Sequence, residues 1–376
     1  MARRMLLASA MTLVLAAGCT PTAPTAPPAN DAATKAPATV DASAERQVAT
    51  LAEAFLTPMT SDDNIDSPAA WKAPDGKTWL IATAKATDKL VVYDGSTGSP
   101  LRGVGSTGAA LGQFDRPNGI SVTDDLLWIV ERDNHRVQVF SLPDFTPLAA
   151  FGADDLRKPY GLWVDKRADG YAVYVTDSWD NGEDAQGNDI LPPLAELDKR
   201  VRQYHVRRDG AELTATLAAS IGDTSEAGAL RVVESIWGDP ANDRLLVAEE
   251  DETYASEFKV YTLAGRFTGT TFGRDVFKAQ AEGVMLRTCG KDGWWITTEQ
   301  GKERSVFHLF DRHSLKPVGS FQGNKVANTD GIWMMQQGSP RFPHGALYAV
   351  HDDQGVVAFD WEQIAKALAL PLECAS

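Results

Sequence analysis

The residues that most clearly could form a functional site are the acidic run Glu249-Glu250-Asp251-Glu252, which comes shortly after the apolar stretch 245–247. Carboxylates packed this closely repel one another unless a cation, a basic partner or water screens them. Charge runs usually face solvent, so the run on its own predicts a solvated turn. Its position within a repeat favours a binding site instead, because acidic residues recur at equivalent positions along the chain.

Motifs for other kinds of site are missing from the sequence. There is no HExxH zinc motif, EF-hand loop, nucleophile elbow, P-loop or dinucleotide fingerprint, and the six histidines are scattered. Ca²⁺ takes six to eight oxygen ligands from carboxylates, carbonyls and water, and a ring of Asp and Glu residues could supply the carboxylates. The sequence therefore predicts a site for several calcium ions, and a hydrolytic reaction there would use metal-activated water as its nucleophile.

A pattern of strands that repeats six times from about residue 64 must position these groups. Each copy opens with a short strand around a small residue, continues with a second strand that ends on polar residues, and adds a third and often a fourth strand. About 50 residues per copy is the size of a propeller blade. The predicted fold is all-β, a six-bladed β-propeller with about four strands per blade. A β-sandwich is the alternative, but it does not explain why each copy opens on similar chemistry.

In a propeller the first strand of each blade lines the central channel, so the residues that open the copies should form a ring. These opening residues are Asp66, Asn118, Tyr160, Glu234, Glu282 and Asp330. The ends of the second strands add Lys85, Arg132, Glu249, Glu250, Asp352 and Asp353. Lys85 and Arg132 could complement phosphate oxygens, or they could form salt bridges with the same acids. Tyr160 could equally be a packing aromatic.

The order of the motifs resembles that of the β-propeller phytases, from about residue 58 to 370. The motifs are Ile65–Trp71, Thr83–Lys85, Ala248–Glu252, Glu282-Gly283, Gln300-Gly301, Thr329–Gly331 and Trp361–Ala365. The resemblance implies a calcium-dependent, 3-phytase-like phosphomonoester hydrolase. Its substrate would be a phosphorylated small molecule such as calcium phytate, the calcium salt of myo-inositol hexakisphosphate.

The same resemblance implies roles for individual residues. The catalytic residues would be Asp66, Glu250 and Glu282, and the phosphate-binding residues Lys85, Arg132 and Tyr160. The metal ligands would be Asp66, Glu234, Glu249, Glu250, Glu282, Gln300, Asp330 and Asp352. The chain departs from the family at Ser67 and Gln280, where acids are usual, and at Asp177-Ser178-Trp179, where a basic residue is usual.

Part of the second and third repeats also resembles the NHL repeat, which often forms a binding surface without catalysis. The matching residues are Arg116–Ile120 and Val130–Phe140. This alternative predicts a non-catalytic lipoprotein of the cell envelope that holds a protein or carbohydrate partner at the mouth of the channel.

The N-terminal segment predicts export. Residues 1–18 resemble a lipoprotein-type signal peptide, with Arg3 and Arg4 before an apolar stretch, and Cys19 would then carry the lipid. Residues 19–55 are a Pro/Ala/Thr-rich linker, and residues 56–376 form the propeller. The expected protein is a monomer anchored to the bacterial cell envelope, or otherwise periplasmic or secreted.

The formal charge of −15 disfavours nucleic acid as a partner, and the only predicted membrane contact is the lipid anchor. Cys289 and Cys374 could form a disulfide or remain separate thiols. The insertion 179–199 is too long for a hairpin turn, so it could be a lid, a further calcium site or a solvated acidic loop.

Overall fold

Six β-sheets make up residues 48–374, the part of the chain that this computed structural model describes. Two short strands come first, β1 (Ala49–Leu51) and β2 (Phe55–Leu56). Blade one contains β3 (Ile65–Lys72), β4 (Thr78–Ala84), β5 (Lys89–Asp94) and β6 (Pro100–Val104). Blade two contains β7 (Pro117–Thr123), β8 (Leu126–Glu131), β9 (Arg136–Ser141) and β10 (Thr146–Phe151). Blade three contains β11 (Pro159–Arg167), β12 (Gly170–Asp177), β13 (Val201–Asp209) and β14 (Glu212–Ile221).

The second half of the chain repeats this arrangement. Blade four contains β15 (Ile236–Asp239), β16 (Arg244–Glu249), β17 (Glu257–Tyr261) and β18 (Phe267–Phe272). Blade five contains β19 (Gln280–Cys289), β20 (Asp292–Gln300), β21 (Val306–Asp311) and β22 (Pro317–Gly323). Blade six contains β23 (Ile332–Met335), β24 (Ala346–His351) and β25 (Gly355–Asp360), and helix α1 (Trp361–Ala367) follows it. Short 3₁₀ helices span Leu194–Lys199 and Pro240–Asn242.

The blades close into a ring, which confirms the predicted six-bladed propeller. The first strand of each blade contacts the first strand of the next, and β23 of blade six contacts β3 of blade one. The second strands are buried on both faces because neighbouring blades cover them; every residue of β8 is buried. Outer strands such as β6 are mostly exposed. Hydrophobic burial between blades therefore fixes the positions of the inner strands.

The N-terminal strands complete two blades. β2 pairs with β25 as the fourth strand of blade six, and β1 pairs in parallel with β22 as a fifth strand of blade five. All of β1 and the first residue of β2 lie within residues 19–55, which the sequence assigned to the linker, so the propeller begins before residue 56. The strands escape sequence detection because they are two or three residues long, too short to show a period. The signal segment and Cys19 lie outside the described residues.

A disulfide joins Cys289, at the end of β19, to Cys374, after α1. This settles the alternatives that the sequence left open and ties the end of the described chain to blade five. Among residues 48–374 the structure has no helix with the length and hydrophobicity that a bilayer crossing requires.

Glycines allow the inner strands to approach one another closely. A Cβ on Gly161 would lie 2.0 Å from the carbonyl oxygen of Glu234 in the next blade. A Cβ on Gly283 would lie 2.8 Å from the carbonyl oxygen of Asp330. The amide of Gly283 in fact donates to that carbonyl at 3.1 Å. A side chain at either position would push two blades apart, so the width of the channel depends on these glycines.

We expect Gly161→Ala to destabilise the protein by about 1–3 kcal/mol, because the added methyl group overlaps backbone that has no room to move. The matched control is Gly103→Ala on the outer strand β6, where the nearest atom to a new Cβ is 3.8 Å away. Urea unfolding of both variants measures the difference. Equal midpoints for the two variants would contradict the close-approach argument.

Candidate functional site

Five of the six opening residues line one small cavity of about 60 Å³ in the channel. These are Asp66, Tyr160, Glu234, Glu282 and Asp330. The sixth, Asn118, is fully buried, and neither polar atom of its amide has a hydrogen-bond partner among the described residues. Position within the repeat therefore identified residues that are far apart in sequence and close together in the structure.

β-Bulges at the starts of the inner strands aim these side chains. The pairing of β3 with β4 shifts register between Ile65 and Pro68, the stretch that contains Asp66. The same break lies around Tyr160 in β11 and around Glu282 in β19. A bulge leaves a residue without a ladder partner and redirects its side chain, here into the channel.

Three carboxylates form a cluster that could hold a cation. Glu234, Glu250 and Glu282 each offer an oxygen atom, and these atoms lie within 4.8 Å of one another. One oxygen of Glu250 accepts backbone hydrogen bonds from Glu234 and Ser235 at 3.3 and 3.2 Å. Its other oxygen, Oε2, is buried and has no hydrogen-bond partner within residues 48–374. Two oxygens on one Ca²⁺ can be up to about 5 Å apart, so the cluster fits one shared calcium ion.

The electrostatics of the cluster are unfavourable in the absence of a cation. Burial raises the pKa of Glu234 to about 8, helped by the charges of Asp66 and Asp330. Burial, together with the neighbouring carboxylates, also raises the pKa values of Glu250 and Glu282 well above their usual range. The metal-free cluster therefore holds protons at neutral pH, and a bound divalent cation would take their place.

Lys85 is the main cation inside the channel. Its Nζ lies 2.7 Å from Asp66 and 3.6 Å from Asp330, and it donates to the hydroxyl of Tyr160 at 3.2 Å. Tyr160 in turn donates to Asp66 at 3.0 Å. Burial alone lowers the pKa of Lys85, but the charges of Asp66 and Asp330 outweigh it and raise the pKa above its usual value. Lys85 is therefore charged over the whole physiological pH range.

Asp330 connects this network to blades five and six. The amide of Gln300 donates to Asp330, and burial raises the pKa of Asp330 to about 7 against the opposing charge of Lys85. Asp353 adds a further nearby carboxylate, whose pKa burial also raises. Gln300 and Asp330, which the resemblance gives as metal ligands, contact each other and lie outside the cluster of Glu234, Glu250 and Glu282.

Asp66, Gln300 and Asp330 belong to the Lys85 network and not to the carboxylate cluster, and three more residues of the expected site join neither. Glu249 is fully buried; its carboxylate accepts from the amides of Arg231 and Val232 at 2.9 and 3.1 Å and lies 3.5 Å from Lys259. Asp352 is exposed, and its carboxylate accepts from Gln354. Arg132 forms a two-point ion pair with the adjacent Asp133, at 2.6 and 3.1 Å. Glu249 is therefore a positioning residue that fixes the loop carrying Glu234.

A cationic cavity adjoins blades two and three, and sequence reasoning missed most of it. It has a volume of about 260 Å³ and is lined by Arg132, Asp133, His135, Arg157, Lys158, Trp179 and Asp180. Lys158 stands two residues before the opening residue Tyr160, as Arg116 stands before Asn118. That equivalence between neighbouring blades is the signal that could have identified Lys158.

Comparisons with known proteins bear on the fold. The family model for the NHL repeat matches residues 114–140, within blade two, which confirms the NHL resemblance there. Hydrazine synthase of Kuenenia stuttgartiensis is 13% identical with a TM-score of 0.47, covering 83% of this chain and 80% of that one. A nidogen/laminin complex is 12% identical with a TM-score of 0.47, covering 74% of this chain and 88% of that one. No curated protein sequence gives a significant match. With TM-scores below 0.5, these two likenesses support no argument about this chain.

We expect the metal-free protein to lose stability as the pH rises from about 4.5 to about 8. The pKa of Glu234 is raised from 4.5 to about 8 in the folded state, so within this window the folded protein binds a proton that the unfolded chain does not. Its contribution is complete below pH 4.5 and is lost above pH 8. Melting temperatures in chelator across this range measure the effect, and Glu234→Gln should flatten the curve. A wild-type curve as flat as that of the variant would contradict the raised pKa.

Proposed function

We propose that this protein is a calcium-dependent phosphomonoester hydrolase resembling phytase. The observation that carries the proposal is the cluster of Glu234, Glu250 and Glu282, with its buried, unpartnered oxygen, beside Lys85 and Tyr160. A phosphate ester needs both kinds of group, because a cation neutralises its oxygens and fixed donors orient them. The channel places a carboxylate cluster that could hold a cation near a lysine that could orient a phosphate.

Calcium bound at the cluster would neutralise phosphate charge and lower the pKa of a water molecule beside it. Glu234, Glu250 and Glu282 would hold the ion. Lys85 would donate to a phosphate oxygen and hold Asp66 in place. Tyr160 would keep its proton for donation, because burial raises the pKa of its hydroxyl well above the usual value.

The departures from the phytase pattern have structural consequences. Ser67 donates its hydroxyl to Asp66 at 2.9 Å, so a second carboxylate is replaced by a group that stabilises the first. Gln280 pairs with Gln300 in the ladder between β19 and β20. Asp177 is fully buried and accepts from the amides of Arg157 and Lys158 at 3.0 and 2.7 Å. Where the phytase pattern has a basic residue, this chain has Asp177, which instead fixes the backbone of two basic residues, Arg157 and Lys158.

A non-catalytic binding scaffold is the second candidate, favoured by the NHL match in blade two. In this case calcium at the cluster would only stabilise the channel. Under either candidate, we propose that the protein is exported, anchored through Cys19 and monomeric. The residues that would direct export and anchoring lie within 1–47, which the structure does not describe.

We expect the protein to release phosphate from calcium phytate, and both chelator and Glu282→Gln to lower the rate by more than about tenfold through loss of the metal. The matched control is Glu252→Gln, an exposed acid at the end of the run 249–252, which should retain activity. Colorimetric phosphate release between pH 5 and 9 is the measurement. Absence of release above the chelator control at every pH would favour the scaffold.

A further inference from the structure

A hairpin from the insertion docks against the cationic cavity. Residues 180–190 form this acidic hairpin, in which the amide of Asn181 donates to Ile190 at 2.8 Å and the amide of Ile190 donates to Gly182 at 2.7 Å. Its only described ion pairs join Lys158 to Asp180 and, at 3.5 Å, to Asp189. Of the three possible roles of the insertion, this arrangement fits a lid.

The base of the hairpin is held more firmly than its tip. Trp179 is buried, its ring stacks under the guanidinium of Arg157 at 3.9 Å, and its carbonyl accepts from Arg200 at 2.6 Å. Residues 181–190, in contrast, are all exposed. The side chain of Asp189 is 53% exposed, so its ion pair with Lys158 can exchange for another anion at little cost.

The cavity has the cationic side chains of an anion-binding site, and carboxylates of the same protein already contact one of them. Arg132, Arg157, Lys158 and His135 come from two neighbouring blades, in a protein whose formal charge is −15. Cations gathered in this way attract a polyanion that the rest of the surface repels. Asp180 and Asp189 occupy the position in front of Lys158 that such an anion would take.

We propose that the acidic hairpin is an internal competitor for the cationic cavity, which an anionic phosphate ester fills by displacing Asp189 and then Asp180 from Lys158. The class of ligand rests on the proposed function, whereas the competition rests on the ion pairs. Displacement would free the hairpin tip while Trp179 keeps its base in place. The hairpin therefore makes the affinity of the cavity for anions lower than it would be without the hairpin.

The test is binding of myo-inositol hexakisphosphate to the full chain by calorimetry, in low salt with chelator, so that the carboxylate cluster contributes no metal. Asp180→Asn/Asp189→Asn should strengthen binding about fivefold, the scale of two partly exposed ion pairs. Arg157→Gln/Lys158→Gln should weaken binding by at least the same factor. The matched control is Glu183→Gln/Glu252→Gln, which removes two exposed acids that have no described contact with Lys158.

Each outcome decides a part of the proposal. Unchanged or weaker binding by Asp180→Asn/Asp189→Asn would overturn the competition and leave the hairpin as a structural brace. An equal gain in the control would overturn it too, because net charge would then explain the effect. Binding that ignores Arg157→Gln/Lys158→Gln would overturn the cavity as the site. Phosphate release, measured separately with calcium, tests the proposed hydrolase without reference to the hairpin.

Discussion

The close approach of backbone around the channel is the constraint on which the rest of the structure depends. In four blades a glycine follows the opening residue, at positions 119, 161, 283 and 331, and each meets the backbone of the next blade. The inner strands can then lie so near one another that side chains from different blades share one small cavity. A wider ring would leave Glu234 and Glu282 too far apart to hold one ion.

This geometry concentrates negative charge at a cost in stability. Asp66, Glu234, Glu250, Glu282 and Asp330 contribute carboxylates to the channel region, and Lys85 is the cation that contacts two of them. Hydrophobic burial between blades must outweigh their repulsion for the protein to fold. A cation that binds only the assembled cluster would recover part of that free energy, and metal binding would then be linked to folding. Proton uptake by Glu234 does the same in the absence of metal.

The sequence predicts the ring of opening residues because position within a repeat decides which strand lines the channel. It does not predict the partners of side chains at strand ends. Glu249 and Glu250 are adjacent, yet one pairs with Lys259 and the other faces the cluster. Glu249 is the last residue of β16, whereas Glu250 lies just beyond the strand, where the repeat pattern does not fix the direction of a side chain. Arg132 pairs with Asp133, the next residue in the chain, and the repeat pattern does not predict this contact either. Strands β1 and β2 show the remaining limit, because their pairing depends on edges presented by blades five and six.

Charge is divided across the channel mouth in a way that neither resemblance alone explains. Blades four and five supply the carboxylates of the cluster, whereas blades two and three supply the cationic cavity. A pure calcium site needs no neighbouring cations, and a pure anion site gains nothing from clustered acids. The proposed ligand, a phosphate ester bound together with divalent cations, would satisfy both halves. Without a ligand, the acidic hairpin offsets the charge of the cationic cavity, and bound protons offset the charge of the carboxylate cluster. Each of these groups therefore stands in for the charge that the ligand would supply.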